Sequence, residues 1–353
     1  MSTFNLKLKL PAEWEPQSAI LLTWPHKNTD WRNQLSAVEA VYYKIAKAIL
    51  AEQKLIISCE DSNQLERVTQ ILSSTTPKNN NRLSTFVVPA NDTWARDHGP
   101  IGITEDGKTT LLDFNFNAWG GKYQANKDND ITQHLFTLGA FPNAKHQKID
   151  FILEGGSIES DGEGTLLTTE RCLLNTTRNN HLNKTQIEEQ LKRTLGVHRI
   201  LWLKNGFLAG DDTDAHIDTL ARFCNPNTIC YVSCDNPKDE HYTELKAMKH
   251  ELKAFRSAQG EPYKLIALPL PTAIYDIDDQ KLKTRLPATY ANFLITNHSV
   301  LFPIYQIPED DQAIKNIQLC FPDKTIIPID CNPLIKEHGS LHCITMQLTQ
   351  GIV

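Results

Sequence analysis

Thr85-Phe-Val-Val88, followed two residues later by Asn91-Asp-Thr-Trp-Ala-Arg-Asp97, passes from an apolar, β-prone run into a polar cluster. Comparable passages occur at residues 19–26, 150–156, 200–218 and 290–298. The sequence between one such passage and the next is long enough for further strands and one helix. Five such units predict an α/β fold of repeated modules around a shared centre, where the polar loops meet. A doubly wound α/β sheet stays open as the alternative.

Hydrophobic periodicity predicts the elements of these units. The predicted helices cover residues 33–52, 183–194, 240–257 and 310–320. The predicted strands cover residues 19–24, 55–58, 85–88, 150–153, 200–203 and 290–295. No Gly/Ser-rich or Pro-rich linker divides the 353 residues, which therefore form two domains or one modular domain.

Charge and hydropathy argue against several classes of protein. The chain has 36 Lys and Arg against 42 Asp and Glu, and this net charge of −6 argues against a general nucleic-acid-binding protein. No run of about 18 apolar residues occurs, so we expect no membrane span. The N-terminus, MSTFNLKLKLPAEWEP, lacks the hydrophobic core of a signal peptide, which predicts a cytoplasmic protein.

The eight cysteines show no paired CxxC spacing. Neither a disulfide scaffold nor a zinc site is favoured by that pattern. In a reducing cytosol we expect most of them to be small buried hydrophobic residues.

Four polar clusters combine residues that are costly to bring together. They are Asp92-Thr-Trp-Ala-Arg-Asp-His-Gly-Pro100, Leu153-Glu-Gly-Gly-Ser157, Asp211-Asp-Thr-Asp-Ala-His-Ile-Asp218 and Glu337-His-Gly-Ser-Leu-His-Cys-Ile344. Singly, each has an ordinary explanation as a solvated turn, a surface ion pair or a buried cysteine. On an extended segment, His216 and Asp218 would point to the same side. Together, a Cys, a His, a Glu and two Asp favour nucleophilic catalysis on a cationic substrate.

These motifs resemble the agmatine deiminase branch of the guanidino-group-modifying, or pentein, superfamily, and the matches span nearly the whole chain. The segments that carry the resemblance are 93–100 (TWARDHGP), 153–157 (LEGGS), 214–218 (DAHID), 285–293 (RLPATYANF), 341–345 (LHCIT) and 113–122 (DFNFNAWGGK). The resemblance implies a five-bladed α/β propeller of ββαβ modules with pseudo-fivefold symmetry. It also implies a single catalytic domain over residues 1–353, and it allows a homodimer.

Matching positions imply the catalytic roles. Cys343 would be the nucleophile, and His216 would be the general acid and base. Glu154 would lie beside His216 and favour its imidazolium form. Asp97 and Asp218 would hold the guanidinium nitrogens. Such chemistry needs no metal ion and no organic cofactor.

The surroundings of the substrate are implied less directly. Trp94 and Trp119 would form walls for the flat guanidinium or its alkyl chain. Candidates for an acidic pocket around a distal ammonium are Asp92, Asp211, Asp212 and Asp214. An arginine substrate would instead need a cation for its carboxylate, such as Arg96 or Arg171. The neighbouring His26, His98 and His342 are assigned supporting roles.

The implied reaction is hydrolysis of agmatine to N-carbamoylputrescine and ammonia through a Cys343 S-alkylthiouronium, as a step of putrescine and polyamine synthesis. One departure from the family concerns its GGGN run before His-Cys, which is replaced here by Glu337-His-Gly-Ser340. The bulkier, charged loop bears on the substrate more than on the reaction type. Peptidyl-arginine deimination and amidino transfer stay open as alternatives, because these enzymes share the Cys-His-carboxylate core. A non-catalytic pentein that binds a partner and a papain-type amide hydrolase are the remaining ones.

Overall fold

The computed structural model describes residues 8–73, 81–277 and 282–353. The strands in these ranges are β1 (Leu8–Lys9), β2 (Gln17–Thr23), β3 (Lys54–Cys59), β4 (Leu83–Val87), β5 (Ile101–Glu105), β6 (Lys108–Asn115), β7 (Lys145–Ile152), β8 (Ile158–Ser160), β9 (Thr165–Thr169), β10 (Arg199–Leu203), β11 (Ala221–Asn225), β12 (Thr228–Ser233), β13 (Lys264–Pro269), β14 (Tyr275–Ile277), β15 (Lys283–Arg285), β16 (Leu294–Ile295), β17 (Ser299–Ile304), β18 (Thr325–Asp330) and β19 (Thr345–Thr349).

The α-helices are α1 (Leu35–Glu52), α2 (Ser62–Ser73), α3 (Ala95–His98), α4 (Ala118–Gly121), α5 (Ile131–Thr137), α6 (Glu170–Leu173), α7 (Lys184–Leu195), α8 (Tyr242–Ala254), α9 (Asp310–Cys320) and α10 (Asn332–Ile335). Short 3-10 helices cover Asp30–Asn33, Asp128–Asp130, Gly155–Ser157 and Ile217–Thr219. Within the described ranges, no helix has the length and apolar composition that a bilayer crossing requires.

Five small sheets share one order, in which an antiparallel strand pair is followed by a parallel pair. They are β19-β2-β3-β4, β1-β5-β6-β7, β8-β9-β10, β11-β12-β13 and β16-β17-β18. A helix connects the two parallel strands in every sheet, because a parallel pair needs a crossover. The architecture is a mixed α/β fold of repeated modules. A single doubly wound sheet is wrong for the described residues.

The sequence predictions agree with most of these elements. All four predicted helices form, as α1, α7, α8 and α9. The strand predicted at 290–295 is wrong over its first four residues, because only Leu294–Ile295 pair with a neighbour. Residues 290–293 are a buried turn instead, and an apolar run alone does not distinguish such a turn from a strand.

The core is continuous on both faces of β2. Ile20 and Leu22 pack into one apolar cluster, whereas Ala19 and Leu21 pack into a second. A strand buried on both faces needs an unbroken apolar run, which explains this part of the sequence. The prediction for the cysteines is confirmed, since all eight are free and buried.

We expect Leu22→Ala to destabilise the protein by about 2–5 kcal/mol, because truncation of a fully buried leucine leaves a cavity. Leu319→Ala is the matched control, since Leu319 is 63 % exposed on α9. Its cost should stay within about 0.5 kcal/mol apart from helix propensity. Urea unfolding of both variants measures the difference, and equal costs would contradict this account of the core.

Candidate active site

A cavity of about 370 Å³ lies where the polar loops of the modules meet. Cys343 and Asp97 line it, and both side chains are buried. The other lining residues are Asn28, Thr29, Asp30, Ala90, Asn91, Asp92, Trp94, Phe116, Ala118, Trp119, Tyr123, Gln124, Lys127, Asp128, Asp212, Thr213, Glu337, His338 and Gly339. The cavity therefore joins the sequence clusters around Asp92, Asp212 and Cys343.

Cys343 lies two residues before β19 and is held by the buried turn at 290–293. The Asn292 Oδ1 atom accepts hydrogen bonds from the backbone N–H of Cys343 at 3.3 Å and from its Sγ at 3.4 Å. Burial, together with Asp218 and Asp97, raises the pKa of the Cys343 thiol well above its usual value. The thiol is accordingly protonated at neutral pH.

Asp97, His216 and Asp218 converge beside Gly156. A methyl group added to Gly156 would lie 2.6 Å from His216 Nδ1, 2.9 Å from Asp97 Oδ1 and 3.1 Å from Asp218 Oδ2. The His216 Nδ1 and Asp97 Oδ1 atoms are 3.6 Å apart. The extended segment considered for His216 and Asp218 is wrong, because Asp218 lies in the 3-10 helix Ile217–Thr219. The two side chains nevertheless converge.

Asp97 is fixed by two donors. Its Oδ2 accepts from Trp119 Nε1 at 2.9 Å, and its Oδ1 accepts from the Gly156 backbone N–H at 3.0 Å. Burial raises the pKa of Asp97, and the nearby Asp218 and Glu154 carboxylates raise it further. Asp218 behaves differently, because His342 contacts its Oδ2 at 2.7 Å and lowers its pKa despite burial.

Glu154 is bound by an arginine that the sequence argument missed. The Arg178 Nε atom donates to both Glu154 oxygens, at 2.9 and 3.0 Å, and Arg178 Nη1 donates to Asp214 at 2.8 Å. Burial lowers the pKa of His216 to about 3, with Asp218 opposing and Arg178 adding to the shift. The imidazolium form expected from Glu154 is therefore not favoured in this structure.

Trp94 and Trp119 stand at the cavity wall, as expected. Their ring centroids are 6.3 Å apart in an edge-to-face arrangement, and Trp31 packs on Trp94 at 5.5 Å. Trp94 Nε1 donates to Asp92 Oδ2 at 2.9 Å. Each indole N–H is thus bound to a carboxylate, which fixes both flat apolar surfaces of the wall.

Carboxylates also surround the remainder of the cavity. They belong to Asp30, Asp92, Asp128, Asp212 and Glu337. Burial raises the pKa of Asp92 to about 7 and that of Asp128 to about 7. Asp212 Oδ2 accepts from the Tyr123 hydroxyl at 2.6 Å. Among the described lining residues Lys127 is the one lysine, and none is an arginine, so the cavity suits a cation.

Other candidate residues lie away from the cavity. Arg96 is buried with Glu13 at 3.7 Å, and Arg171 lies over the Phe207 ring at 5.5 Å. Asp211 accepts backbone N–H groups of its own loop. Neither arginine is placed to receive a substrate carboxylate.

The supporting histidines are buried at different places. His26 lies 3.6 Å from Glu60, and His98 lies 3.3 Å from Thr23. His342 lies between Asp218 and Glu13. Only His342 among the three contacts a predicted substrate-binding carboxylate.

The loop that departs from the family pattern packs directly on the wall. A methyl group on Gly339 would lie 2.0 Å from the Trp94 ring, which explains why a glycine stands at that position. His338 has a φ of +65° and contacts the Gly210 carbonyl through Nδ1 at 2.8 Å. The loop therefore brings Glu337 and His338 to the same cavity that Cys343 lines.

Glu154, Cys172 and His216 bring ligand-type atoms within 4.8 Å of one another. The Glu154 carboxylate is already paired with Arg178, whose positive charge opposes a metal cation at that point. The group is better explained as the buried support of His216.

Three residues of the site were given no role from the sequence, namely Asn292, Arg178 and Glu13. Asn292 and Arg178 stand in segments with apolar or turn-like neighbours, and Glu13 precedes the first predicted strand. The one sequence feature that could have pointed to them is a polar residue among apolar or turn-like neighbours. That signal does not identify the partner, which is 51 residues away for Asn292, 24 for Arg178 and 329 for Glu13.

Comparison with known proteins agrees with a cysteine-dependent enzyme for a cationic substrate. The chain belongs to the Porphyromonas-type peptidyl-arginine deiminase family, whose model matches residues 9–349. A Pseudomonas aeruginosa relative named agmatine deiminase is 31% identical over 358 residues, covering 96% of this chain and 95% of that protein.

Two solved structures are similar over almost their full lengths. One, from Porphyromonas gingivalis and provisionally named an arginine deiminase, is 49% identical with a TM-score of 0.91, and the match covers 98% of this chain and 100% of that one. The other is a Cys-to-Ser variant of C. jejuni agmatine deiminase with substrate bound. It is 39% identical with a TM-score of 0.89, and the match covers 98% and 97% of the two chains.

The raised pKa of Cys343 predicts slow alkylation by a neutral reagent at pH 7–8, with a rate that still rises above pH 9 as thiolate forms. Asp97→Asn removes a negative neighbour, so the thiol pKa should fall and labelling at pH 8 should accelerate. Asp235→Asn, on an exposed residue, is the control. Mass spectrometry of the Cys343 peptide measures the rates, and equal rates in both variants would contradict the assignment.

Proposed function

We propose that this protein is an agmatine deiminase that hydrolyses agmatine to N-carbamoylputrescine and ammonia. The observation that carries the proposal is the charge pattern of one cavity. The buried Cys343 and Asp97 line it together with five further carboxylates, and the buried Asp218, which does not line it, lies close enough to raise the pKa of Cys343. Agmatine has a guanidinium at one end and an ammonium at the other, so both ends meet negative charge.

The guanidinium end would bind between Asp97 and Asp218. A planar guanidinium offers N–H groups along its edges, and carboxylates bind such edges by charge-assisted hydrogen bonds. Asp218 Oδ1 is buried and has no hydrogen-bond partner among the described residues. That oxygen is available to accept from the substrate. The bound cation would lower the thiol pKa of Cys343, which explains why the thiol is kept neutral until substrate arrives.

The reaction follows from the neutral thiol and the neutral imidazole. The Cys343 proton passes to His216 as sulfur attacks the guanidinium carbon. His216 returns that proton to one nitrogen, which leaves as ammonia, and a cationic S-alkylthiouronium remains. Water then gives a proton to His216 and attacks the same carbon. Sulfur leaves and takes the hydroxyl proton, and His216 releases its proton to solvent, where the ammonia released earlier becomes ammonium.

Two comparisons support this substrate. Relatives of similar length are named agmatine deiminase, and the C. jejuni enzyme binds substrate when a cysteine is replaced by serine. The family description instead names peptidyl-arginine, and this gives the second candidate. An arginine within a peptide has neutral amide groups where agmatine has an ammonium, so it offers no distal cation to the acidic cavity. Free arginine adds a carboxylate, which the acidic cavity opposes.

The arrangement of the modules and the organisation of the protein are part of the same proposal. Five modules with one strand order support a five-bladed α/β propeller with its loops around the cavity. We further infer a single catalytic domain over residues 1–353, a homodimer, a cytoplasmic location and no role in nucleic-acid binding. The proposed chemistry uses side chains of this chain and water alone.

The substrate test measures ammonia release from agmatine, arginine and a blocked arginine peptide in parallel. We expect fast release from agmatine alone, and at least about a 10⁴-fold loss in Cys343→Ala because the nucleophile is gone. Release mainly from the peptide would retain the mechanism and overturn the substrate. No release from any of the three would overturn the proposed function.

The acidic surroundings predict a separate effect on affinity. Asp212→Asn and Glu337→Gln should each raise KM for agmatine a few-fold to about tenfold, with kcat nearly unchanged, because they remove charge near the distal ammonium. Asp323→Asn, on an exposed turn, should leave both constants unchanged. A fall in kcat with constant KM would show that these carboxylates act on the reacting end instead.

Gly156→Ala should reduce kcat/KM for agmatine by about 100-fold, because the new methyl group displaces His216 and Asp97 from each other. The unfolding midpoint serves as the control for structural damage. Wild-type activity at an unchanged midpoint would contradict the close convergence of these groups.

A further inference from the structure

His342 lies between two buried carboxylates. Its Nδ1 is 2.7 Å from Asp218 Oδ2, and its Nε2 is 2.7 Å from Glu13 Oε2. The side chains of all three residues are at most 5 % exposed. The backbone N–H of His342 also donates to Asn292, which fixes the position of the residue.

The number of protons in this group is constrained by its geometry. A neutral imidazole has one N–H donor and one bare nitrogen, which is an acceptor. Ionised carboxylates accept only, so a neutral His342 would place two acceptors 2.7 Å apart at one contact. Two good hydrogen bonds require one further proton, carried either by the imidazole or by one carboxyl group.

The surrounding charges favour the imidazole as the carrier. Arg222 donates to Glu13 at 2.8 Å, and Arg96 lies 3.7 Å from the same carboxylate. Burial raises the pKa of both carboxyl groups, but Arg222 and Arg96 lower that of Glu13 and Arg222 lowers that of Asp218, so these arginines disfavour protonation of either group independently of His342. Burial, Arg222 and Arg96 together lower the pKa of His342, and Glu13 and Asp218 oppose that shift without reversing it. The geometry argues the other way, because carboxylate oxygens lie 2.7 Å from both ring nitrogens and each such contact needs a proton.

We propose that His342 is a doubly protonated positioning residue, which donates one ring N–H to Asp218 and the other to Glu13. It holds Asp218 ionised and uses one of its oxygens, so that Oδ1 is left for the substrate guanidinium. This role for Asp218 rests on the proposed function. The protonation state of His342 does not.

The chain provides a matched pair of glutamates for the test. Glu13 and Glu159 each accept from Arg222 at 2.8 Å, and each accepts from a backbone N–H. Only Glu13 also contacts His342. Glu13→Gln and Glu159→Gln therefore remove the same kind of charge from Arg222, but only Glu13→Gln changes the imidazole.

Nitrogen NMR of the full-length enzyme, labelled with ¹⁵N-histidine and free of substrate, tests the protonation directly. We expect both ring nitrogens of His342 to carry protons at neutral pH. In Glu13→Gln one of them should lose its proton at lower pH than in the wild type, and this change assigns the signal even if His342→Gln does not fold. A bare ring nitrogen in the wild type at neutral pH would overturn the proposal.

The pH profile of agmatine hydrolysis tests the positioning role. If the imidazolium is needed, activity is lost as pH rises through its pKa, and Glu13→Gln lowers that pKa. The alkaline limb of kcat/KM should therefore move to lower pH in Glu13→Gln, with a loss on the order of 10-fold to 100-fold at neutral pH. Glu159→Gln should leave the limb in place. Identical limbs in the two variants would overturn the role.

The two arms separate the possible failures. A wild-type enzyme without activity on agmatine would overturn the proposed function, while the NMR result still decides the protonation of His342. A confirmed imidazolium with unmoved pH profiles would overturn the positioning role alone.

Discussion

The site depends on two buried carboxylates, Asp97 and Asp218, that lie next to the buried thiol of Cys343 and must be able to ionise there. Burial of Asp97 and Asp218 is costly, since removing an ionised carboxylate from water is penalised strongly unless it is paired. Asp218 is paired with His342, and Asp97 is fixed by two N–H donors. Burial and these two aspartates raise the pKa of Cys343 and keep it protonated, and the aspartates give a substrate cation a reason to bind.

Buried cations surround this centre without entering the cavity. Arg222 contacts Glu13 and Glu159, and Arg178 contacts Glu154. Each arginine stabilises carboxylates that face other site residues, while its own charge is already satisfied. Because the arginines are already paired, the carboxylates that line the cavity can still attract a cation. The same pairing explains why so many charged groups are buried.

The fold supplies this centre by repetition. Polar loops that follow strands of several modules line one cavity, so no single module could build the site. β19 pairs with β2, so the segment after Cys343 is joined to the first module of the chain. The nucleophile is thereby held between elements from both ends of the sequence, and the aromatic wall of Trp94 and Trp119 stands against it.

Local sequence predicted four of the five described helices that have eleven or more residues, and it missed α2. Strand and helix periodicity act within a few residues, whereas the roles of Cys343, His216 and the paired aspartates were implied by the family resemblance. The turn at 290–293 was misread, because burial of its apolar residues resembles a strand. Only tertiary structure decided the partners of these groups. His342 and Glu13 are 329 residues apart in the chain, and such contacts depend on how the modules close together rather than on local pattern.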